Sequence, residues 1–198
     1  DINLICYDIS NLKLNLKSFF IKGSIDDLKN LYKTTQRIKI DVVVHLAAFL
    51  GVKNTEIDKL KCLNTNILGT KNVLDFCVKK KIKKIIFSSS SEVYGEPVEM
   101  PQKEDTTPLN SRLPYAIVKN LAESYCKVYY QEYGLNYTIF RFFNTYGPLQ
   151  SNDFVISKFI KQALRNEDIT IYGNGEQTRT FCFIDDNLDV TEKVVENN

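Results

Sequence analysis

Residue types that can do chemistry gather in two places along the chain. The stretch "FSSSSEVYGEP", Phe87 to Pro97, ends a short apolar run in four hydroxyls and a carboxylate, Glu92. Further on, Tyr115 and Lys119 stand four apart in "PYAIVK", a spacing that puts both side chains on one face of a helix. Free tyrosine has a pKa near ~10 and is a poor base at neutral pH. A neighbouring ammonium favours the phenolate, and lowering the pKa by ~3 units takes roughly 4 kcal/mol of differential stabilisation. One lysine aided by a cationic nicotinamide ring is expected to supply it. A tyrosinate beside a serine hydroxyl can then take a proton from an alcohol while hydride leaves for an oxidised nicotinamide. Alone, the pair is a weak signal in a chain with 11 tyrosines. Its weight comes from its position, after the serine cluster and just behind Pro114 at the start of a helical pattern.

The elements that must carry these groups are legible from the apolar pattern. "INLICYD" (Ile2 to Asp8) reads as a buried strand ending in an acid, and "SFFIKGS" (Ser18 to Ser24) as a second. "IDDLKNLYKTT" shows weak helical spacing, and "DVVVHLAA" (Asp41 to Ala48) is β-branched without alternation, the mark of a central strand. A helix is expected from Asp58 to Val78, a strand over "KKIIFSSS", a long helix from Pro114 to Gly134 and a strand over "NYTIFRF". "FVISKFIKQAL" reads as a helix and "ITIY" as a short strand. Strands alternating with helices predict an α/β fold, a Rossmann-like parallel sheet with helices on both faces. In such a sheet, ligands bind at the carboxyl ends of the strands, where Asp8, "HLAA" and the serine cluster all fall.

Bulk properties exclude several function classes. The 198 residues are 43% apolar and 25% charged, with a net charge of +2, too small to call for a nucleic-acid partner. Most of that excess sits in "KKKIKK", Lys79 to Lys84, read as a solvated helix end running into a strand. The five cysteines are scattered, without a C-x-x-C, and His45 is the lone histidine, so no Cys/His metal set can form. Reduced thiols in a cytoplasmic protein are the expectation. No membrane-length apolar run and no signal peptide occur in the sequence.

Eight segments in order, "YD" (Tyr7-Asp8), "KGSI" (Lys22 to Ile25), "HLAA" (His45 to Ala48), "NILGTKNVL" (Asn66 to Leu74), "SSSSEVYG" (Ser88 to Gly95), "PYAIVK", "RFFNTYGP" (Arg141 to Pro148) and "YGNGEQTRTF" (Tyr172 to Phe181), resemble the extended short-chain dehydrogenase/reductase family, the NAD-dependent nucleotide-sugar epimerases and dehydratases. The resemblance runs from about Ile2 to Asp186. It implies NAD as cofactor and a nucleotide-sugar as substrate. Asp8 would hold the adenosine ribose, Ile25 would lie against the adenine, the backbone at Leu46, Ala47 and Ala48 would line the cofactor, and Asn66 would sit near its nicotinamide half. Tyr115 would be the base, Lys119 its partner and a ligand of the nicotinamide ribose, and Ser90 the hydroxyl on the reacting sugar oxygen. Asn144 and Arg179 would contact the substrate diphosphate, a role that suits the arginine fork. His45 is expected to be a packed strand-end residue rather than a catalyst. The family commonly pairs through two long helices, so a homodimer is implied.

The chain departs from that pattern in three places. It opens inside a strand with no glycine-rich loop ahead of it, so residues 1–144 read as an NAD-binding Rossmann-like domain lacking its first strand and phosphate loop. Residues 145–198 read as the truncated start of a substrate-binding lobe. Ser24 stands where an adenine-contacting Asp is usual. Both ends point to a fragment of a longer protein, and the chain by itself is expected to bind NAD poorly.

The shared chemistry would be oxidation of the sugar C4 hydroxyl to a ketone, with 4-epimerisation as the leading expectation. Glu92 keeps a 4,6-dehydratase or a UDP-glucuronate decarboxylase open, while Ser91 replaces the acid of the commonest 4,6-dehydratase pattern. A non-catalytic remnant without the cofactor loop is the reading from a different class. A G-x-x-G-x-x-G strand–loop–helix encoded ahead of Asp1 would separate the two.

Overall fold

In the computed structural model, which describes residues 2–10, 19–49 and 58–197, the apolar runs become short strands linked by helices. The first of two compact units is Asp1–Arg141 and the second Phe142–Asn198. The first holds β1 (Ile5–Asp8), β2 (Phe19–Lys22), α1 (Leu28–Thr35), β3 (Val42–His45), α2 (Lys59–Asn64), a π-helical turn (Thr65–Gly69), α3 (Thr70–Lys79), β4 (Lys84–Ser90), a 3-10 turn (Ser91–Tyr94) and α4 (Pro114–Tyr133). β5 (Asn136–Phe142) closes it. In the second unit come β6 (Asn144–Tyr146), α5 (Val155–Leu164), β7 (Phe181–Phe183) and α6 (Ile184–Glu196).

β1 and β2 run parallel, from Ile5 opposite Phe19 to Asp8 opposite Lys22. β3 and β4 are parallel too, from Val42 opposite Lys84 to His45 opposite Phe87, in a sheet ordered β3-β4-β5. Parallel neighbours joined through helices are the mark of an α/β fold. Among the described residues the strands of this unit form two ladders, β1-β2 and β3-β4-β5, where the sequence predicts a single sheet. Both rest on one apolar core, in which Ile25, Leu31, Leu74, Phe76, Ile85 and Phe87 are buried and Tyr7 and Val43 pack against them. Val44 is exposed, on the opposite side of the strand from Val43, which packs on the core.

Helix boundaries follow local chemistry. Asp27 and Asp58 accept from the N–H groups of Asn30 (2.9 Å) and Lys61 (3.0 Å) and so cap α1 and α2. α4 begins at Pro114, whose missing N–H costs nothing in a first turn, and ends at Gly134, whose φ of 70° a side chain would resist. The single helix expected over 58–78 is instead interrupted by the π-helical turn Thr65–Gly69, a form that concentrates at functional sites. Gly69 closes this turn because a Cβ there would lie 2.5 Å from Ile25 Cδ1. Asn72 Nδ2 donates to Ile25 O at 2.9 Å, and Thr65 Oγ1 to Asp26 Oδ2 at 3.1 Å, so the β2–α1 loop is tied to this helix pair.

In the second unit, "ITIY" is not a strand. Its backbone is served by a side chain instead: Gln162 Nε2 donates to Asp168 O (2.9 Å) and Gln162 Oε1 accepts from Thr170 N (3.3 Å). β6 and β7, parallel from Asn144 opposite Phe181 to Tyr146 opposite Phe183, are too short to show in the apolar pattern.

Candidate active site

The carboxyl end of β4 and the first turns of α4 meet as the Tyr115–Lys119 spacing requires. Lys119 is 5% exposed. Its Nζ donates to Ser88 O at 2.6 Å and stands 5.0 Å from the Phe87 ring centroid and 5.8 Å from that of Tyr115. Ser90, the extended last residue of β4, stands beside Tyr115 and favours the ionised form of its phenol. The Ser90 Oγ also accepts the Glu92 N–H at 3.2 Å, which turns the chain into the Ser91–Tyr94 turn. Three predicted groups, Ser90, Tyr115 and Lys119, therefore converge.

Burial pushes the Tyr115 phenol up to about 12, with further upward push from Cys62 and Glu92, which Ser90 opposes. Burial also pushes the Lys119 ammonium down to about 8. The sequence expectation combined Lys119 with a cationic nicotinamide ring; with the protein's own groups alone, desolvation holds Tyr115 as a phenol.

Glu92 is exposed on the turn after Ser90 and is electrostatically coupled to the Tyr115 phenol. It is the carboxylate beside the Ser90–Tyr115 pair.

The other predicted cofactor ligands lie at strand ends in the same unit. Asp8 Oδ1 accepts from Ser10 N (2.8 Å) and Ser10 Oγ (2.6 Å). One carboxylate oxygen thus caps the turn. Leu46 is exposed, while Ala47 packs on the core. The loop they start is held by buried Asn66: its Oδ1 accepts from Phe49 N at 2.7 Å and its Nδ2 donates to Phe49 O at 3.2 Å. Ala48 precedes that clamp in the loop. Ile25 is a buried core residue against Gly69. In the second unit, Asn144 Nδ2 donates to Thr180 O at 2.9 Å and so ties the start of β6 to β7. Arg179 is exposed and bonded only locally, to Thr178 O (2.8 Å) and Gln177 Oε1 (3.2 Å).

His45 is buried, with Nε2 3.1 Å from Thr70 Oγ1 and its ring tilted on Phe87. Burial first, and then the Lys119 ammonium, push it down to about 3. The unfolded value is near ~6.5, so between these limits the unfolded chain takes a proton that the native one refuses. Stability therefore falls as pH drops from about 6.5 towards 3, at about 1.4 kcal/mol per pH unit and about 5 kcal/mol in all. Urea unfolding across pH 7 to 4 is expected to show this slope, and His45→Gln to flatten it. A variant slope equal to that of the parent would remove His45 from the account.

Two groups at this site were not singled out in the sequence. Glu123, four residues beyond Lys119 on α4, and Arg141, near the end of β5, form a buried pair at 2.8 Å. The signal was there, since the spacing 115, 119, 123 continues one helix face.

Among the described residues no cluster of three or more His, Cys, Asp or Glu could hold a metal ion, and no helix is long and apolar enough to cross a membrane. The sequence model of the NAD dependent epimerase/dehydratase family matches residues 7–198. A UDP-N-acetyl-alpha-D-glucosaminuronate decarboxylase of Bacillus cytotoxicus is 41% identical over 182 residues, which is 88% of this chain and 53% of that protein. The crystal structure of a UDP-glucose 4-epimerase with UDP-glucose from Thermotoga maritima superposes with a TM-score of 0.88 at 32% identity, covering 94% of this chain and 63% of that one. A UDP-glucuronic acid 4-epimerase from Bacillus cereus, in complex with UDP-glucuronic acid and NAD, gives 0.84 at 34% identity, covering 98% and 65%. The chain spans about half the length of the curated relatives it matches.

Proposed function

Because the chain belongs to the NAD dependent epimerase/dehydratase family, we propose that the whole protein uses NAD to oxidise C4 of a UDP-hexuronate and then releases its C6 carboxylate as CO2. The observation that carries this choice is Glu92, a carboxylate coupled to the Tyr115 phenol beside Ser90. The sequence reading leaned towards 4-epimerisation, which needs no such group. Support for a uronate comes from the B. cytotoxicus relative, named for its glucosaminuronate, and the B. cereus neighbour, bound to UDP-glucuronic acid.

Ser90 would orient the C4 hydroxyl, and Tyr115 would take its proton once a cationic ligand lowers the phenol. Lys119, already anchored on Ser88 O, would turn part of its hydrogen-bonding capacity to a ribose hydroxyl. NAD, when bound, supplies the acceptor for the C4 hydride and its return. The ketone so formed is β to the carboxylate. The C5–C6 bond then breaks, its electron pair enters a C4–C5 enolate, CO2 leaves and C5 takes a proton. Glu92 is placed to hold or deliver that proton. Asp8 would grip the adenosine ribose, with Ile25, Leu46, Ala47, Ala48 and Asn66 shaping the wall. Asn144 and Arg179, in the lobe that would take the nucleotide-sugar, would face the diphosphate. Free thiols at all five cysteines fit a reducing compartment, and we place the protein in the cytoplasm. Exposed Ile117, Leu121 and Val128 on α4, with exposed Leu60 on α2 and Leu68 in the π-helical turn, would form the contact of a homodimer, whose mass light scattering reads directly.

The test is incubation of the natural protein with NAD and UDP-glucuronate labelled with carbon-13 at C6. Labelled CO2 and a UDP-pentose are the expected products. A C4 epimer that keeps the label would establish the second reading, favoured by the two 4-epimerases among the solved neighbours. No turnover of UDP-glucuronate, and none of UDP-N-acetylglucosaminuronate, would overturn the uronate reading.

A further inference from the structure

The buried Glu123–Arg141 pair stands apart from the groups assigned to chemistry, yet it touches their supports. Tyr115, Lys119 and Glu123 follow one another at four-residue steps along α4, and each engages one of three consecutive residues of β4. Tyr115 acts electrostatically with the Ser90 side chain, Lys119 donates to Ser88 O, and Glu123 Oε1 accepts from Ser89 Oγ at 2.5 Å. Ser89 lies between the residues that meet Lys119 and Tyr115, so a bond at Ser89 sets how the strand end is rolled against the helix.

Glu123 is 1% exposed and both its oxygens are in use. Oε1 also accepts from Arg141 Nε at 3.1 Å, and Oε2 from Arg141 Nη2 at 2.8 Å. The remaining Arg141 nitrogen, Nη1, donates to Tyr94 Oη (2.9 Å) and to Glu104 O (3.0 Å), and the guanidinium lies 5.0 Å from the Tyr94 ring centroid. One fork thus joins β5, α4, the end of β4, the turn that carries Glu92 and the loop that follows it. A buried ion pair stabilises little more than apolar packing of the same volume. What apolar side chains could not do is fix Ser89 by a directed bond.

We propose that Glu123, held by Arg141, is a positioning residue: through Ser89 it sets the roll of the β4 end and thereby seats the Ser90 hydroxyl on Tyr115. This rests on the reading of Ser90 and Tyr115 given above, and it adds a residue that acts through them.

Ser89→Ala removes only the linking hydroxyl and leaves the ion pair intact. In the natural protein with NAD and UDP-glucuronate, kcat is expected to fall about tenfold at an unchanged KM, as a displaced reacting group requires. The carbon-13 ζ resonance of Tyr115 should move at neutral pH without any ligand. Ser89→Thr, which keeps the hydroxyl, should restore both. Should Ser89→Ala not fold, Ser89→Cys, with its weak donor, gives the same comparison. A purely structural role would lower the urea midpoint while leaving kcat and the Tyr115 resonance in place, and that result overturns the proposal. Absence of turnover in the unaltered protein would strike the functional reading instead, and the Tyr115 resonance would still decide the role of Ser89.

Discussion

Tyr115→Phe should lower kcat by at least about a thousandfold, the range lost when a general acid–base group is removed, with little change in the KM for UDP-glucuronate. The variant loses one oxygen and keeps the ring that packs at the start of α4. The phenol is the proton-exchanging group that stands beside Ser90, and the ring that remains in the variant cannot replace it. Because burial holds it at about 12, the parent enzyme should show a kcat that rises with pH, the limb set by the value Tyr115 adopts in the ligated protein. That limb should vanish in the residual activity of the variant. A Tyr115→Phe protein with more than a tenth of parental kcat would end the dehydrogenase-type reading.

Glu92→Gln separates the branches. Under the decarboxylase reading, release of labelled CO2 falls by about a hundredfold or more, while oxidation at C4 persists and reduced nicotinamide absorbance accumulates. Under the epimerase reading, product forms at near the parental rate. The substitution also removes one of the influences that raise the Tyr115 phenol, so the pH limb of the first step should move down. Glu92 is exposed, and stability should hold, which leaves the product ratio as a clean readout. Unchanged CO2 release would remove Glu92 from the chemistry.

Much of the site was legible because its residues obey local rules. Tyr115 and Lys119 share a helix face by spacing alone, Pro114 and Gly134 mark the ends of that helix, and Asp8 ends an apolar strand run at the side of a parallel sheet where ligands gather. What was not legible depends on partners distant in sequence. That Lys119 bonds Ser88 O and that Tyr115 stays a phenol follow from a carbonyl on another element and from burial. The link from Ser89 through Glu123 to Arg141 joins three elements, and an isolated Glu on a helix reads as solvated until its burial is known. The π-helical turn at Thr65–Gly69 carries no local signal, since it is set by the fit of Gly69 to Ile25. "ITIY" had strand-forming residues and failed as a strand because a side chain, Gln162, satisfied its backbone first.

The split between the β1-β2 ladder and the β3-β4-β5 sheet bears on how the adenosine end would be gripped. A two-stranded ribbon is marginal by itself; among the described residues, Asn30 of α1 bonds Tyr7, and Asn72 and Thr65 bond the loop after β2. Its amides should exchange with solvent through local openings far below the global unfolding free energy, while those of β4 exchange last. Asp8 rides on this ribbon and Lys119 bonds the end of β4, so the two ends of the candidate site should differ in amide protection.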